Sequence, residues 1–164
     1  MARLDHIDLK ILAALQRNGR IRNSELVELV NLSASPCLQR MKRLESEGFI
    51  RSYGAEIDLS KLGDALTVFT EVTLSGRRGQ DFKTFEAGIA GFQQVVECHL
   101  ISGGYDYLVK FLCRSILDYQ ACVEEILAAD LGIEKYFSYV VIKSPIPPRP
   151  ADITRFVRQP GGQS

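Results

Sequence analysis

Two halves of different periodicity predict an α+β fold for this chain. Residues 4–48 carry apolar side chains at helical spacing in three short blocks, each set off by cap and turn residues. Residues 66–143 alternate strands rich in Val, Thr and Phe with two helical stretches, in the order βαββαβ. Length agrees with the division, because 164 residues hold two small domains. Composition is that of an ordinary globular chain, 46% hydrophobic and 24% charged. No apolar run approaches the roughly 18 residues a membrane span needs. Met1 to Lys10 already carries acids and lacks the apolar core of a secretion signal, so a cytoplasmic location is expected.

The first helix opens at Asp5, whose carboxylate can accept from the free N–H groups of the first turn. Asp8 favours the positive helix start, and Leu4 and Leu9 can meet as a hydrophobic staple. Ile7, Ile11, Leu12 and Leu15 follow, and Asn18-Gly19 ends the helix. Asn23 reads as the cap of a short second helix with Leu26, Leu29 and Val30 inside. That helix stops at Asn31, which tolerates a left-handed turn. A third helix, roughly Ser33 to Gly48, starts at Ser33 or Ser35 with Pro36 in its first turn, where no N–H is missed. Leu38, Met41 and Leu44 are its expected core stripe, with Gln39, Arg40, Lys42 and Arg43 largely off it. Phe49 to Asp58 holds strand-like residues on both sides of Gly54 and reads as a short hairpin. Three helices plus a hairpin make a winged helix-turn-helix.

Leu59 to Ala65 reads as a linker. Leu66 to Ser75 is a strand, and Gln80 to Ala90 is a helix with Phe82, Phe85 and Ile89 inside. Val95 to Ser102 and Tyr105 to Cys113 pair across a Gly103-Gly104 turn. Ser115 to Ala129 is the second helix and Tyr136 to Lys143 the last strand. This is the ferredoxin-like pattern. The expected organisation is therefore 1–58 DNA reader, 59–65 linker, 66–145 ferredoxin-like domain and 146–164 a Pro-rich tail. One face of such a sheet is free of helices. Val68, Phe69, Val72, Leu108 and Phe111 are distributed over its two sides, and sheet-to-sheet packing between copies is the natural cover.

Formal net charge is zero, with 20 basic and 20 acidic residues, which argues against a nonspecific nucleic-acid coat. Residues 33–52 nevertheless carry a local excess of two positive charges from Arg40, Lys42, Arg43 and Arg51 over Glu45 and Glu47. A helix in the major groove meets a distinct donor and acceptor pattern at each base pair. Arg40, Lys42 and Arg43 are candidates for guanine edges or phosphates, and Gln39 for adenine. Ser33, Ser35 and Pro36 sit at the helix start, where hydroxyls and free N–H groups hold phosphate. Arg51 would meet the adjacent backbone.

The residues resemble the leucine-responsive/asparagine regulator (Lrp/AsnC, feast/famine) family of transcription factors. The resemblance rests on LDHIDLKILAALQRNGRIRNSELVELVNLSASPCLQRMKRLESEGFIRSY at 4–53, on ECHLISGGYDYLVK at 97–110 and on the closing strand with Tyr139-Val140-Val141. It implies a DNA reader joined to a domain that builds dimers, and tetramers or octamers from them, and that senses an amino acid or related metabolite. Taken alone, the exposed N–H groups of Gly103 and Gly104 can bind a carboxylate and Asp106 an ammonium. The resemblance places this hairpin, Gly103, Gly104, Tyr105 and Asp106, at a pocket between dimers, with Tyr139 and Val141 at matching closing-strand positions. Where Gly104 stands, the family's commoner hairpin carries an acid.

Other chemistry finds little support. Cys37, Cys98, Cys113 and Cys122 form no CxxC pair and read as reduced, mostly buried thiols. Cys98 and His99 are adjacent on a strand and point to opposite faces, so no metal site is expected. There is no nucleophile–base set and no phosphate-binding glycine loop, so no catalytic residues and no cofactor are expected. Alternatives are a tetrapyrrole-pathway decarboxylase of the same two-part architecture, and an amino-acid-binding module without DNA binding. An RNA-binding reading fits the βαββαβ order but lacks the aromatic strand signature.

Overall fold

The computed structural model describes residues 4–146 and 148–156; residues 1–3 and the end of the expected tail, 157–164, lie outside the described residues. The described chain forms two compact units. One holds residues 4–57 together with 148–156, and the other is Asp58–Ile146.

In the first unit, α1 (His6–Arg17) is capped by Asp5, which accepts from the Ile7 and Asp8 N–H groups, while the Asp8 side chain accepts from the Asp5 N–H. The second helix, α2 (Asn23–Val30), has its cap one residue earlier than the expected Asn23, which is instead its first residue. Arg22 holds the cap position and supplies no side-chain bond. Asn31 closes α2 in the left-handed conformation, with φ 55°. The third helix, α3 (Ala34–Ser46), follows after three residues, and Gly48 leaves it with φ +76°. Ile11, Leu15, Leu26, Val30, Cys37 and Leu44 form the buried centre.

Three expectations for this unit need correction. Leu29, expected inside on α2, is 48% exposed, and only Leu26 and Val30 of that helix are buried. Leu38 is not core: it is 44% exposed, and Cys37 is buried in the interior instead. Buried Cys37 and Leu44 are seven residues apart, two helical turns, which turns Leu38 outward. The expected hairpin over Phe49 to Asp58 is also absent, since 50–58 carries no strand. The Phe49 and Ile50 N–H groups both donate to the Leu44 carbonyl, so the chain is held against the end of α3. The Tyr53 hydroxyl then donates to Glu45 on that helix, at 2.8 Å. Gly54 does not take the positive φ that a tight hairpin turn uses. Burial and then Glu45 push the Tyr53 phenol up to about 12. In the tail, a single 3-10 turn at Ile153–Phe156 lies beside α1.

The second unit opens with a 3-10 turn, Leu59–Lys61, capped by Asp58. Then follow β1 (Leu66–Leu74), α4 (Gly79–Ile89), β2 (Val95–Leu100), β3 (Tyr107–Cys113), α5 (Ile116–Ala128) and β4 (Ile133–Val140). The sheet order is β2-β3-β1-β4 with every pair antiparallel, the ferredoxin-like arrangement. Alternation sorts the strand residues. Val68, Val72, Val109 and Phe111 face the helices and pack with Phe85, Ile89, Cys122, Val123 and Ile126. Phe69 and Leu108 lie on the opposite face. Cross-strand pairing puts Phe137 and Tyr139 of β4 there too, beside Glu71 and Phe69. Gly88 is set by close approach, since a Cβ there would lie 2.3 Å from Leu131.

A hydroxyl chain crosses the helix side of the sheet. Thr70 Oγ1 lies 2.7 Å from the Tyr119 hydroxyl, which lies 2.5 Å from Ser138 Oγ. It ties α5 to both β1 and β4. Tyr119→Phe removes both bonds and leaves the Thr70 hydroxyl buried without this partner. Unfolding free energy should fall by about 1–3 kcal/mol, read as a lower urea midpoint with unchanged slope; an unchanged midpoint would mean the chain contributes nothing.

Candidate functional site

The third helix is held from behind by a buried carboxylate. The Asp8 side chain is 1% exposed, and its two oxygens meet Arg40 Nη1 at 2.7 Å and Arg43 Nη2 at 2.5 Å. Arg40 Nη1 also meets Asp5 Oδ2 at 2.7 Å. With the Asp5 N–H donating to Asp8, two acids from the start of α1 and two arginines from α3 form one network. The arginine side chains therefore lie along the inner flank of α3, with the Arg43 Nε buried and unpartnered among the described residues. Burial raises the Asp5 carboxyl, but the Asp8 N–H and the Arg40 guanidinium outweigh it and hold the group at about 2.

This changes the expected DNA-facing set. Arg40 and Arg43 were expected to meet bases or phosphate, but their charges are matched within the domain. Sequence reasoning missed the pairing although a signal exists: Asp8, Ile11 and Leu15 share one helical stripe, and an acid on an apolar stripe marks a buried partner. The exposed stripe of α3 is instead Ser35, Leu38, Gln39 and Lys42, at i, i+3, i+4 and i+7. Ser33 takes the N-cap position with extended backbone, yet its hydroxyl makes no capping bond, so the hydroxyl and the first-turn N–H groups stay open. Pro36 is exposed in the first turn, and Arg51 is exposed beyond α3. Arg20 and Arg22, exposed ahead of α2, were not anticipated.

In the second unit the hairpin between β2 and β3 spans 101–106. It is wider than a two-residue turn, because Asp106 is drawn onto β1. The Asp106 N–H donates to the Val72 carbonyl at 3.0 Å, and Asp106 Oδ2 accepts from the Leu74 N–H at 2.8 Å. One carboxylate oxygen is thus structural. Gly103 and Gly104 are exposed, adopt no positive φ, and a Cβ at either would meet nothing within 4 Å. Their backbone is open to solvent. Tyr105 is half-buried and acts on the Tyr139 phenol, which burial and then Glu71 push up. Val141 is not part of this cluster. Its N–H donates to the Thr67 carbonyl, whereas Asp106 is bound at Val72. Five residues of β1 separate these anchors, about 17 Å at strand rise, so one chain does not bring Val141 to the hairpin.

The open face also carries Glu97, His99 and Lys110. Lys110 Nζ meets Glu97 Oε1 at 2.6 Å and His99 lies 3.3 Å from the same carboxylate, so Lys110 and then His99 hold the Glu97 carboxyl below its ordinary value. Register places Cys98 opposite Val109 and His99 opposite Leu108, on different faces of the sheet. Cys98 is exposed, while Cys37, Cys113 and Cys122 are buried, and burial pushes their thiols up. No helix of the described residues is long and apolar enough to cross a membrane.

A three-helix reader followed by a ferredoxin-like sheet defines a DNA-binding transcription regulator with a separate ligand-binding domain. Comparison with known proteins identifies the family. Residues 4–51 match a winged helix-turn-helix DNA-binding model, and 67–151 match the Lrp/AsnC ligand binding domain. This chain belongs to the Lrp/AsnC family. It is 44% identical to the transcriptional regulatory protein DoeX of Halomonas elongata over 142 residues, covering 87% of this chain and 90% of that protein. It is 39% identical to the leucine-responsive regulatory protein of Escherichia coli K12, with 85% of each chain covered. Among solved structures, it is similar to an AsnC family regulator from Agrobacterium tumefaciens, with TM-score 0.86, 27% identity and coverage of 93% and 99%. A Neisseria meningitidis transcriptional regulator solved in complex with L-Met has TM-score 0.85, 31% identity and the same coverage. These likenesses favour the regulator over the tetrapyrrole-pathway decarboxylase.

Two outcomes follow from the Asp8 network. Asp8→Asn should cost about 3 kcal/mol, because removing one member of a buried pair strands the others; a loss under about 1 kcal/mol in denaturant unfolding would show the network to be dispensable. Acid titration should show a matching trend. The folded-state pKa of Asp5, about 2, lies below its ordinary 3.8, so its contribution is present above about pH 4 and lost as pH falls toward 2. In Asp5→Asn that part of the acid limb, followed by circular dichroism, should flatten.

Proposed function

We propose that this chain is one subunit of a symmetric, cytoplasmic regulator that reads operator DNA with α3 and adjusts its assembly to a free amino acid held at the 101–106 hairpin. The observation that carries the DNA half is the exposed α3 stripe of Ser35, Gln39 and Lys42, presented by a helix clamped on its inner side to Asp8. Gln39 suits an adenine edge. Lys42 and Arg51 suit phosphates, and Ser33, Ser35 and Pro36 bring the open start of α3 to the backbone. Arg40 and Arg43 act by orienting the helix.

The effector half rests on the solvent-open backbone of Gly103 and Gly104 next to the remaining oxygen of Asp106. Carboxylate on the N–H groups and ammonium on Asp106 is the pattern of an α-amino acid. The L-Met bound to the Neisseria relative supports that class. The distance from the hairpin to Val141 supports a pocket completed by another copy, with Val141 of that copy approaching the loop and Tyr139 of the same chain beside it. The face bearing Phe69, Leu108, Phe137 and Tyr139 supports sheet-to-sheet pairing, and tetramers or octamers of such dimers are the proposed assembly.

Lys42→Ala should weaken binding to specific and random duplexes alike and lower the salt slope of log Kd by about one; an unchanged slope in a gel shift would remove Lys42 from the phosphate set. For the effector, thermal shift against the twenty amino acids should give a rise for one or a few, since a ligand bound only to the folded form stabilises it by about 2.7 kcal/mol at a hundredfold excess over Kd. Asp106→Asn keeps an acceptor for the Leu74 N–H but removes the charge. The rise should vanish in this variant while the unliganded melting temperature stays close to wild type; a rise that persists would place the ligand elsewhere.

A further inference from the structure

We infer that Leu38 is a specificity-determining residue of the DNA-reading helix, contacting the C5-methyl group of a thymine. This rests on the reading of α3 as the major-groove element and names one of the bases it selects. Leu38 is 44% exposed and lies between Ser35 and Lys42 on the outward stripe, next to Gln39. The interior of the unit is closed without it, through Cys37 and Leu44 on α3 and Ile11 and Leu26 on the facing helices. A leucine in a helix whose exposed neighbours are Ser, Gln and Lys gains nothing from water. Its position matches the residues proposed to meet base edges.

The four base pairs display mainly polar groups in the major groove, and the thymine methyl is the one apolar group among them. An apolar side chain on the reading face therefore has one complementary partner. Gln39 beside it suits the adenine edge, so the two adjacent positions favour the same kind of base pair from its two sides. Capture of the charges of Arg40 and Arg43 by Asp5 and Asp8 strengthens the argument. It leaves the stripe one cation, Lys42, so discrimination falls to hydrogen bonding and apolar fit rather than to arginine–guanine pairing.

The test uses the full chain and a duplex enriched from a random pool by repeated gel shift. Each thymine of the enriched duplex is then replaced singly by deoxyuridine, which removes only the methyl group. At one thymine per half-site the replacement should weaken wild-type binding about three- to fivefold, the effect of burying one methyl. It should have no effect on Leu38→Ala, which removes a half-exposed side chain and keeps a good helix former. Gln39→Ala serves as a second variant and should retain the sensitivity to that methyl. The inference is overturned if no single methyl matters to the wild type, or if Leu38→Ala feels its loss equally. Failure to enrich any duplex would overturn the DNA reading itself, and is thereby distinct from failure of the Leu38 assignment.

Discussion

The geometry of the DNA-reading half depends on one buried carboxylate. Asp8 is enclosed in the interior of a unit of fewer than 70 described residues, where an unpaired charge would be prohibitive. It is tolerated because Arg40 and Arg43 reach it from α3 and the Asp5 N–H satisfies it from its own helix. Apolar packing between α1 and α3 alone would leave the rotation of α3 loosely defined, since a stripe of methyl groups permits small slips. Two directional bonds from one carboxylate do not. Which side of α3 faces outward is thus fixed by an ion pair on the side that faces in.

The second unit solves a different problem. Its sheet has one face buried under α4 and α5 and one face carrying Phe69, Leu108, Phe137 and Tyr139 among Glu71, Glu97, Lys110 and Lys135. The helix side is made rigid by close packing and by the Thr70–Tyr119–Ser138 chain, in which three hydroxyls satisfy one another across two strands and a helix. Anchoring of the 101–106 hairpin on β1 by Asp106 then sets that loop, the proposed effector site, on the rigid part of the sheet rather than leaving it to the loop's own stiffness.

Most of this was legible in the sequence wherever a periodic pattern and a cap agreed. The three helices, the first three strands and the two further helices lie where periodicity places them, because a two- or 3.6-residue repeat reports directly which side of an element is wet; the last strand, expected at 136–143, runs three residues earlier, Ile133–Val140. The misses have separate physical causes. Leu38 was assigned to the interior because it is apolar, whereas Cys37 occupies it; hydrophobicity does not fix helical phase to within one residue. The wing was expected from strand-like residues flanking Gly54, but the backbone N–H groups of Phe49 and Ile50 are spent on the end of α3 and Tyr53 on Glu45. Arg40 and Arg43 read as free charges because charge on a surface helix is ordinarily solvated, whereas both are paired with acids of α1 and its cap. Their partners lie more than thirty residues away in sequence, and no local pattern announces such a pair except the misplaced acid itself.

A reader built this way has little electrostatic grip. The chain is neutral overall, and two of the four basic residues in and just after α3 are neutralised internally. Nonspecific attraction to phosphate scales with the cations left free, so a single unit gains little from DNA of arbitrary sequence. On the proposed reading of α3, selectivity is favoured at the same time, because the stripe that remains would reward only matching base edges. Such a balance calls for the contacts of a second unit, which the proposed symmetric assembly would supply on a two-fold site. Control then belongs wherever the pairing is set. In the proposed assembly, a ligand that alters how copies meet at the sheet would change the spacing of two readers and need not alter α3 at all.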